Sequence, residues 1–101
     1  MPTIDYKEHL LQELKDAQYA AGYLTAAIEE GEDVFLLALR DVVQAQLGIA
    51  ALAQATKLNR ENLYDMLSKD GNPRLSSITS ILDKLGFSVS FKPKPRRTQA
   101  A

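Results

Sequence analysis

Apolar residues recur at helical spacing along the chain as far as Leu85. This period of 3.6 residues predicts helices near 5–14, 16–30, 33–47, 49–56, 60–69 and 75–85. The third has the densest apolar content, and we expect it to be the central core helix. Asp16 and Asp33 stand where N-caps are needed, and four of the five glycines follow a helical pattern closely enough to end it. Gly22 falls inside a helix, so we interpret it as a close packing contact.

The segment that begins at Leu52 reads LAQATKLNRENLYDML and predicts two short helices joined by a tight turn. Ala53 is small enough to lie where two helices cross steeply. Asn59 is a suitable cap for the second helix, which we expect to begin at Arg60. This arrangement is the outline of a helix-turn-helix over about residues 49–69.

The apolar period changes from 3.6 to 2 after Gly86, where Phe87, Val89 and Phe91 alternate with serines. This alternation predicts a short C-terminal β-strand. The chain offers it no partner of comparable length, so we expect the strand to pair with a second copy and these three side chains to form a dimer interface.

These elements predict a mainly α fold, with a five- to six-helix repressor-like domain, an N-terminal helical extension and one C-terminal strand. A single helical domain would occupy residues 1–91. Residues 92–101 contain lysine, arginine and proline but no core-forming residues, which indicates a flexible basic tail. We expect the tail to add non-specific attraction to phosphate.

The amino-acid composition limits the classes of function that the chain is expected to have. The 101 residues are 46% hydrophobic and 25% charged, as in a small globular domain. With no cysteine and one histidine, we expect no enzyme activity, no metal site and no cofactor. No apolar run approaches the roughly 20 residues of a membrane span, and the N-terminus lacks a signal-peptide pattern. We therefore expect a cytoplasmic protein that does not bind membranes.

Charge is divided unevenly along the chain. Residues 1–45 hold nine acidic and three basic residues, for −6, whereas residues 46–101 hold four acidic and nine basic, for +5. The acidic half suits a basic protein partner, and the basic half, which contains the helix-turn-helix, suits a polyanion. The alternative is that the asymmetry is accidental or reflects attraction between the two halves.

The second helix of the motif and the residues after it supply candidate contacts to duplex DNA. We expect Asn59, Arg60 and Tyr64 to reach base edges in the major groove. Glu61 is able to accept a hydrogen bond from cytosine. Contacts to phosphates are predicted for Asn62, Ser68, Asn72 and Arg74.

Two carboxylates, Glu61 and Asp65, bring negative charge to the same face. They support an alternative, in which the fold has been kept as a protein-interaction module without significant DNA binding.

The chain combines four segments, EEGEDVFLLALRDVVQAQ, LAQATKLNRENLYDMLS, GNPRLSSITSILDKLG and FSVSF. Together they resemble the addiction-module antidote proteins, which are antitoxins of the Xre/Cro phage-repressor-like helix-turn-helix class. The resemblance spans about Tyr23 to Phe91. It implies a protein that binds its own operator, represses a shared promoter as a dimer, and neutralises a co-encoded toxin, usually a small basic protein of the RelE superfamily. One departure is Lys57, because the family usually has glycine at this turn; lysine adopts the left-handed conformation at a cost of about 1 kcal/mol.

Overall fold

The computed structural model describes residues 5–95, and it contains six helices in that range. Their bounds are α1 Tyr6–Glu13, α2 Ala17–Glu30, α3 Glu32–Gln46, α4 Ile49–Thr56, α5 Arg60–Met66 and α6 Leu75–Lys84. Each helix begins within one residue of the position predicted from apolar spacing, so the mainly α prediction is confirmed. The largest difference is at the end of α5, which stops at Met66 because Leu67 leaves the helical conformation.

Side-chain caps fix the starts of several helices. Asp16 accepts hydrogen bonds from the backbone N–H groups of Gln18 at 2.8 Å and Tyr19 at 3.2 Å, which confirms the cap predicted for α2. The cap predicted at Asp33 is wrong. Gly31 ends α2 and also precedes the first residue of α3, so Asp33 already lies in the first turn of α3.

The core is built around α3. Its side chains Leu39, Val42 and Val43 are fully buried, and α2, α1 and α4 all pack against it. The axis of α4 turns by 97° from that of α3, which directs the chain away from the α2–α3 pair. Fully buried residues of α4, α5 and α6 and of the turns next to α1 and α5 complete the same core, namely Leu14, Leu52, Leu63, Leu67 and Ile81. The predicted role of the third helix as the centre of the core is confirmed.

A polar cluster around Asp41 of α3 fastens the N-terminal helices. The Tyr23 hydroxyl of α2 donates to Asp41 Oδ2 at 3.0 Å, and Lys7 Nζ of α1 lies 3.1 Å from Asp41 Oδ1. Burial, followed by the hydrogen bond to Asp41, raises the pKa of Tyr23 to about 12. Gln46 Nε2 also donates to the Leu14 backbone carbonyl at 3.0 Å, so α1 is held to α3 at two separate points.

The chain leaves α6 through a glycine turn. Gly86 has a φ of 87°, and the N–H of Phe87 donates to the Leu82 carbonyl at 2.9 Å while the N–H of Gly86 donates to the Asp83 carbonyl at 3.0 Å. This pair of bonds is the Schellman pattern, which satisfies carbonyls that the end of a helix leaves unpaired. The turn directs the segment after Gly86 back toward the core, where Phe87 is half-buried.

The β-strand predicted from Phe87 to Phe91 is not supported. Within residues 5–95 no strand forms, because an extended segment needs a second backbone to pair with and this part of the chain supplies none. Val89 and Phe91 are instead 53% and 94% exposed. Residues 92–95 of the predicted tail are exposed and without regular structure, and residues 96–101 lie outside the described range.

In the described range, no single helix has the length and apolar content needed to cross a membrane. Among the described helices, only α3 and α4 taken together have that length and apolar content, and their axes are bent by 97° relative to each other.

The space around two glycines differs from what their positions in the sequence indicate. An added Cβ at Gly22 would have no heavy atom within 4 Å, so the predicted packing contact is wrong. At Gly71 the same atom would overlap the Met66 carbonyl oxygen and lie 2.8 Å from the Asp65 carbonyl oxygen. The close backbone approach is therefore at Gly71, where the loop after α5 folds back over the end of that helix.

We expect Gly71→Ala and Gly22→Ala to change stability in opposite directions. Gly71→Ala should lower the free energy of unfolding by about 1–3 kcal/mol, because the loop must move to accommodate the methyl group. Gly22→Ala should raise it by about 0.5–1 kcal/mol, since alanine restricts the unfolded chain and meets nothing in the folded one. Urea denaturation of both variants measures this difference, and equal stability of the two would contradict it.

Candidate nucleic-acid interface

The turn between α4 and α5 has the tight geometry that a helix-turn-helix needs. Lys57 adopts the left-handed conformation, with φ 61° and ψ 22°, immediately after α4. The Thr56 hydroxyl donates to the Leu52 carbonyl at 2.8 Å and accepts from the Leu58 N–H at 3.4 Å. Asn59 Oδ1 then accepts from the Asn62 N–H at 3.1 Å, which confirms Asn59 as the cap of α5. Hydrogen bonds from the side chains of Thr56 and Asn59 to the backbone thus hold the short connection between α4 and α5.

The buried and exposed faces of α5 are sharply separated. Leu63 is fully buried, as is Leu67 just beyond the helix, and together they fasten α5 to the core. The predicted contact residues Asn59, Arg60, Glu61, Asn62 and Tyr64 are all exposed, as is Asp65. We call the exposed surface formed by these six residues the α5 face.

Three further predicted contact residues follow α5. Asn72 and Arg74 are exposed in the loop before α6, and Arg74 is the residue that precedes the first turn of that helix. Ser68 is half-buried, and its hydroxyl donates to the Asp65 carbonyl at 2.8 Å. That hydroxyl proton is already engaged, so Ser68 is less suited than Asn72 or Arg74 to donate to a phosphate.

Arg40 is a neighbour of the α5 face that sequence reasoning missed. Its guanidinium carbon lies 5.1 Å from the centroid of the Tyr64 ring, within the range of a cation–π contact. Tyr64 remains 38% exposed, so the contact orients the ring without covering it. Arg40 belongs to α3, and no local spacing rule connects it with a residue of α5; only the tertiary fold brings the two side chains together.

The charge on this surface is nearly balanced. The stretch from Lys57 to Arg74 carries four cations and three carboxylates, and Arg40 adds one more cation. Arg60 stands at the first position of α5, where the helix dipole disfavours a positive charge and so favours contact with an external anion. Such a surface attracts a polyanion only weakly, and binding to it would depend on a few well-aligned donors.

The described residues contain no group of three or more histidine, cysteine, aspartate or glutamate side chains arranged to hold a metal ion. The chemistry available on the α5 face is hydrogen bonding by amide, guanidinium and hydroxyl groups, together with stacking on Tyr64.

Comparison with known proteins shows a family to which the chain is similar. A family model described as "probable addiction module antidote protein" matches residues 5–93, which include all six helices and the segment after α6. No curated protein and no solved structure matches the chain at a significant level.

We expect Lys57→Gly to stabilise the protein, because glycine adopts the left-handed conformation of this turn without the strain of a Cβ. The free energy of unfolding should rise by about 0.5–1 kcal/mol. Lys57→Ala is the matched control: it removes the charge but keeps the Cβ, and it should give no comparable gain. Thermal or urea denaturation compares the three proteins, and equal gains for both variants would assign the effect to the lysine charge instead of the backbone.

Proposed function

Because this chain belongs to the addiction-module antidote family, we propose that it neutralises a co-encoded toxin by direct binding and also represses their shared promoter by binding operator DNA through α4 and α5. The toxin partner follows from the family. DNA binding is the further step, and the observation that supports it is the α5 face, a group of exposed hydrogen-bonding side chains on the second of two short helices joined by a tight turn.

Base recognition is assigned to the start of α5. Helix-turn-helix domains place the first residues of this helix against base edges in the major groove. Arg60 is suited to a bidentate contact with guanine, Asn59 to a contact with adenine, and Glu61 to a contact with cytosine. Tyr64, supported by Arg40, offers its ring edge and hydroxyl one turn further along the helix.

Contacts to phosphates would fix the orientation of the protein on the duplex. Asn62, Asn72 and Arg74 are exposed donors near the α5 face, and Ser68 becomes one if it releases the Asp65 carbonyl. Lys92 and Lys94 are exposed in the segment after α6, where they would add attraction to phosphate that does not depend on sequence.

A second candidate function is supported by the carboxylates Glu61 and Asp65, both exposed on the α5 face. In that case the helix-turn-helix would serve only as a protein-interaction module, and the toxin would be its one partner. The two functions differ in one measurable property, which is affinity for duplex DNA that falls steeply as salt is raised.

A dimer is proposed because operator sites for this motif come as two half-sites, about 34 Å apart. An apolar groove of about 440 Å³ runs between α2 and α6 along the segment after Gly86. Ile28, Leu75, Val89 and Phe91 are all more than half exposed along it. We propose that these side chains meet those of a second copy across a two-fold axis, which would set the separation of the two α5 helices.

The toxin is proposed to be a small basic protein of the RelE-superfamily type. The acidic N-terminal part of this chain supports that assignment, since residues 1–45 carry a net charge of −6.

The DNA-binding proposal predicts that Arg60→Ala weakens operator binding by about 1–3 kcal/mol and relaxes specificity at one base pair. Fluorescence anisotropy with a duplex from the protein's own promoter, compared with a scrambled duplex, measures both effects. Lys15→Ala is the control, because it removes one exposed positive charge from the α1–α2 turn, far along the chain from α5. If Arg60→Ala binds the promoter as tightly as Lys15→Ala does, the assignment of Arg60 is removed.

The dimer proposal predicts that Val89→Asp produces monomers and weakens operator binding at the same time. A charge in an apolar contact is costly, and the loss of the second α5 removes the gain in effective concentration that bivalency provides. Sedimentation analysis and DNA titration of the same samples test this. The control is Gln12→Asp, which adds the same charge at an exposed position of α1, outside both the apolar groove and the α5 face. A monomeric wild type, or a dimeric Val89→Asp protein, would refute the proposal.

A further inference from the structure

A second groove, of about 240 Å³, lies between α2 and α3. Its lining includes the small buried side chains Ala27 and Ala38, and Leu37 of α3, which is 41% exposed, also contributes to it. Because α2 and α3 run in opposite directions from a tight turn, the groove extends from Glu30 near that turn to the hydrogen-bonded pair Tyr23 and Asp41. It therefore has an apolar middle and a carboxylate toward each end.

The two carboxylates differ in their availability. Asp41 already accepts the Tyr23 hydroxyl and pairs with Lys7, so much of its charge is compensated within the chain. Glu30 is exposed and forms no ion pair among the described residues. The end of the groove at the α2–α3 turn thus carries the uncompensated charge.

That turn concentrates negative charge further. Glu29, Glu32 and Asp33 join Glu30 in a span of five residues, and all four are exposed. Such a cluster repels the phosphates of DNA and attracts cations. A second copy of the chain with its two-fold axis at this turn is also disfavoured, because that contact would bring two such clusters together. An apolar groove next to this charge selects a partner that is cationic and carries an apolar side chain.

We propose that this groove is the docking site for the toxin, and that the toxin segment it accepts places an apolar side chain against Ala27, Ala38 and Leu37 and lysine or arginine residues against the carboxylates of the α2–α3 turn. The inference rests on the proposed neutralisation of the toxin by direct binding. It adds the location of the contact and the chemistry of the segment that fills it.

The test uses the full chain and, as the probe, the purified protein encoded by the reading frame next to its own. Leu37→Lys puts a charge in the apolar middle of the groove, and Glu30→Lys reverses the charge at its acidic end. Leu47→Lys is the control for the first variant, since Leu47 follows the same helix, is 39% exposed and lies outside the lining of the groove. Asp83→Lys is the control for the second, because Asp83 is also an exposed carboxylate in the last turn of a helix.

Each groove variant should bind the toxin at least about tenfold more weakly than its control, as measured by titration calorimetry or surface binding kinetics. Glu30→Lys should also slow association and make the affinity less sensitive to salt, whereas Leu37→Lys should mainly speed dissociation. Far-ultraviolet circular dichroism and thermal melting establish that all four variants are folded. Operator binding by each groove variant should match that of its charge-matched control.

The possible outcomes separate the two claims. If the wild type binds the toxin and both groove variants match their controls, toxin neutralisation stands and the groove is refuted as its site. If the wild type does not bind the toxin at all, the proposed neutralisation fails, and the inference fails with it. If Leu37→Lys changes the association state of the chain in the absence of toxin, the groove holds a second copy and the inference is overturned.

Discussion

The burial of α3 is the constraint on which the rest of the fold depends. Leu39, Val42 and Val43 are withdrawn completely from water, and each such side chain contributes about 1.5–3 kcal/mol. Asp41 of the same helix forms the polar contacts with α1 and α2. At the C-terminal end of α3 the chain bends by 97° into α4. The orientation of α4 relative to the N-terminal helices therefore follows from the way α3 is packed.

Much of this architecture could be predicted from the sequence, because most of the information is local. Helix starts follow from apolar spacing and from caps such as Asp16 and Asn59, whose acceptors lie two or three residues from the N–H groups they satisfy. The cap predicted at Asp33 was wrong because Gly31 is both the C-cap of α2 and the N-cap of α3. The alternation from Phe87 to Phe91 predicted a strand that the described residues do not support, since alternation identifies side chains that share a face and provides no partner backbone.

The candidate sites also differ in how far the sequence could predict them, because only contacts between residues close in sequence leave a local pattern. Residues of the α5 face are close in sequence, so their common exposure follows from the position of Leu63 in the core. The contact of Arg40 with Tyr64 and the groove between α2 and α3 are products of helix packing. Sequence spacing contains no signal for either. The overlap that an added Cβ at Gly71 would produce is likewise visible only once the loop is seen folded over α5.

The two proposed binding surfaces are linked through α3. Leu37 and Asp41 line the groove, while Arg40, between them in sequence, supports Tyr64 on the α5 face. The side of α3 opposite these residues is buried in the core. Charge distinguishes the two proposed partners: the carboxylates of the α2–α3 turn disfavour phosphate in the groove, whereas Arg60 and the amide donors of the α5 face suit phosphate. Proximity along α3 is thus compatible with two chemically different partners.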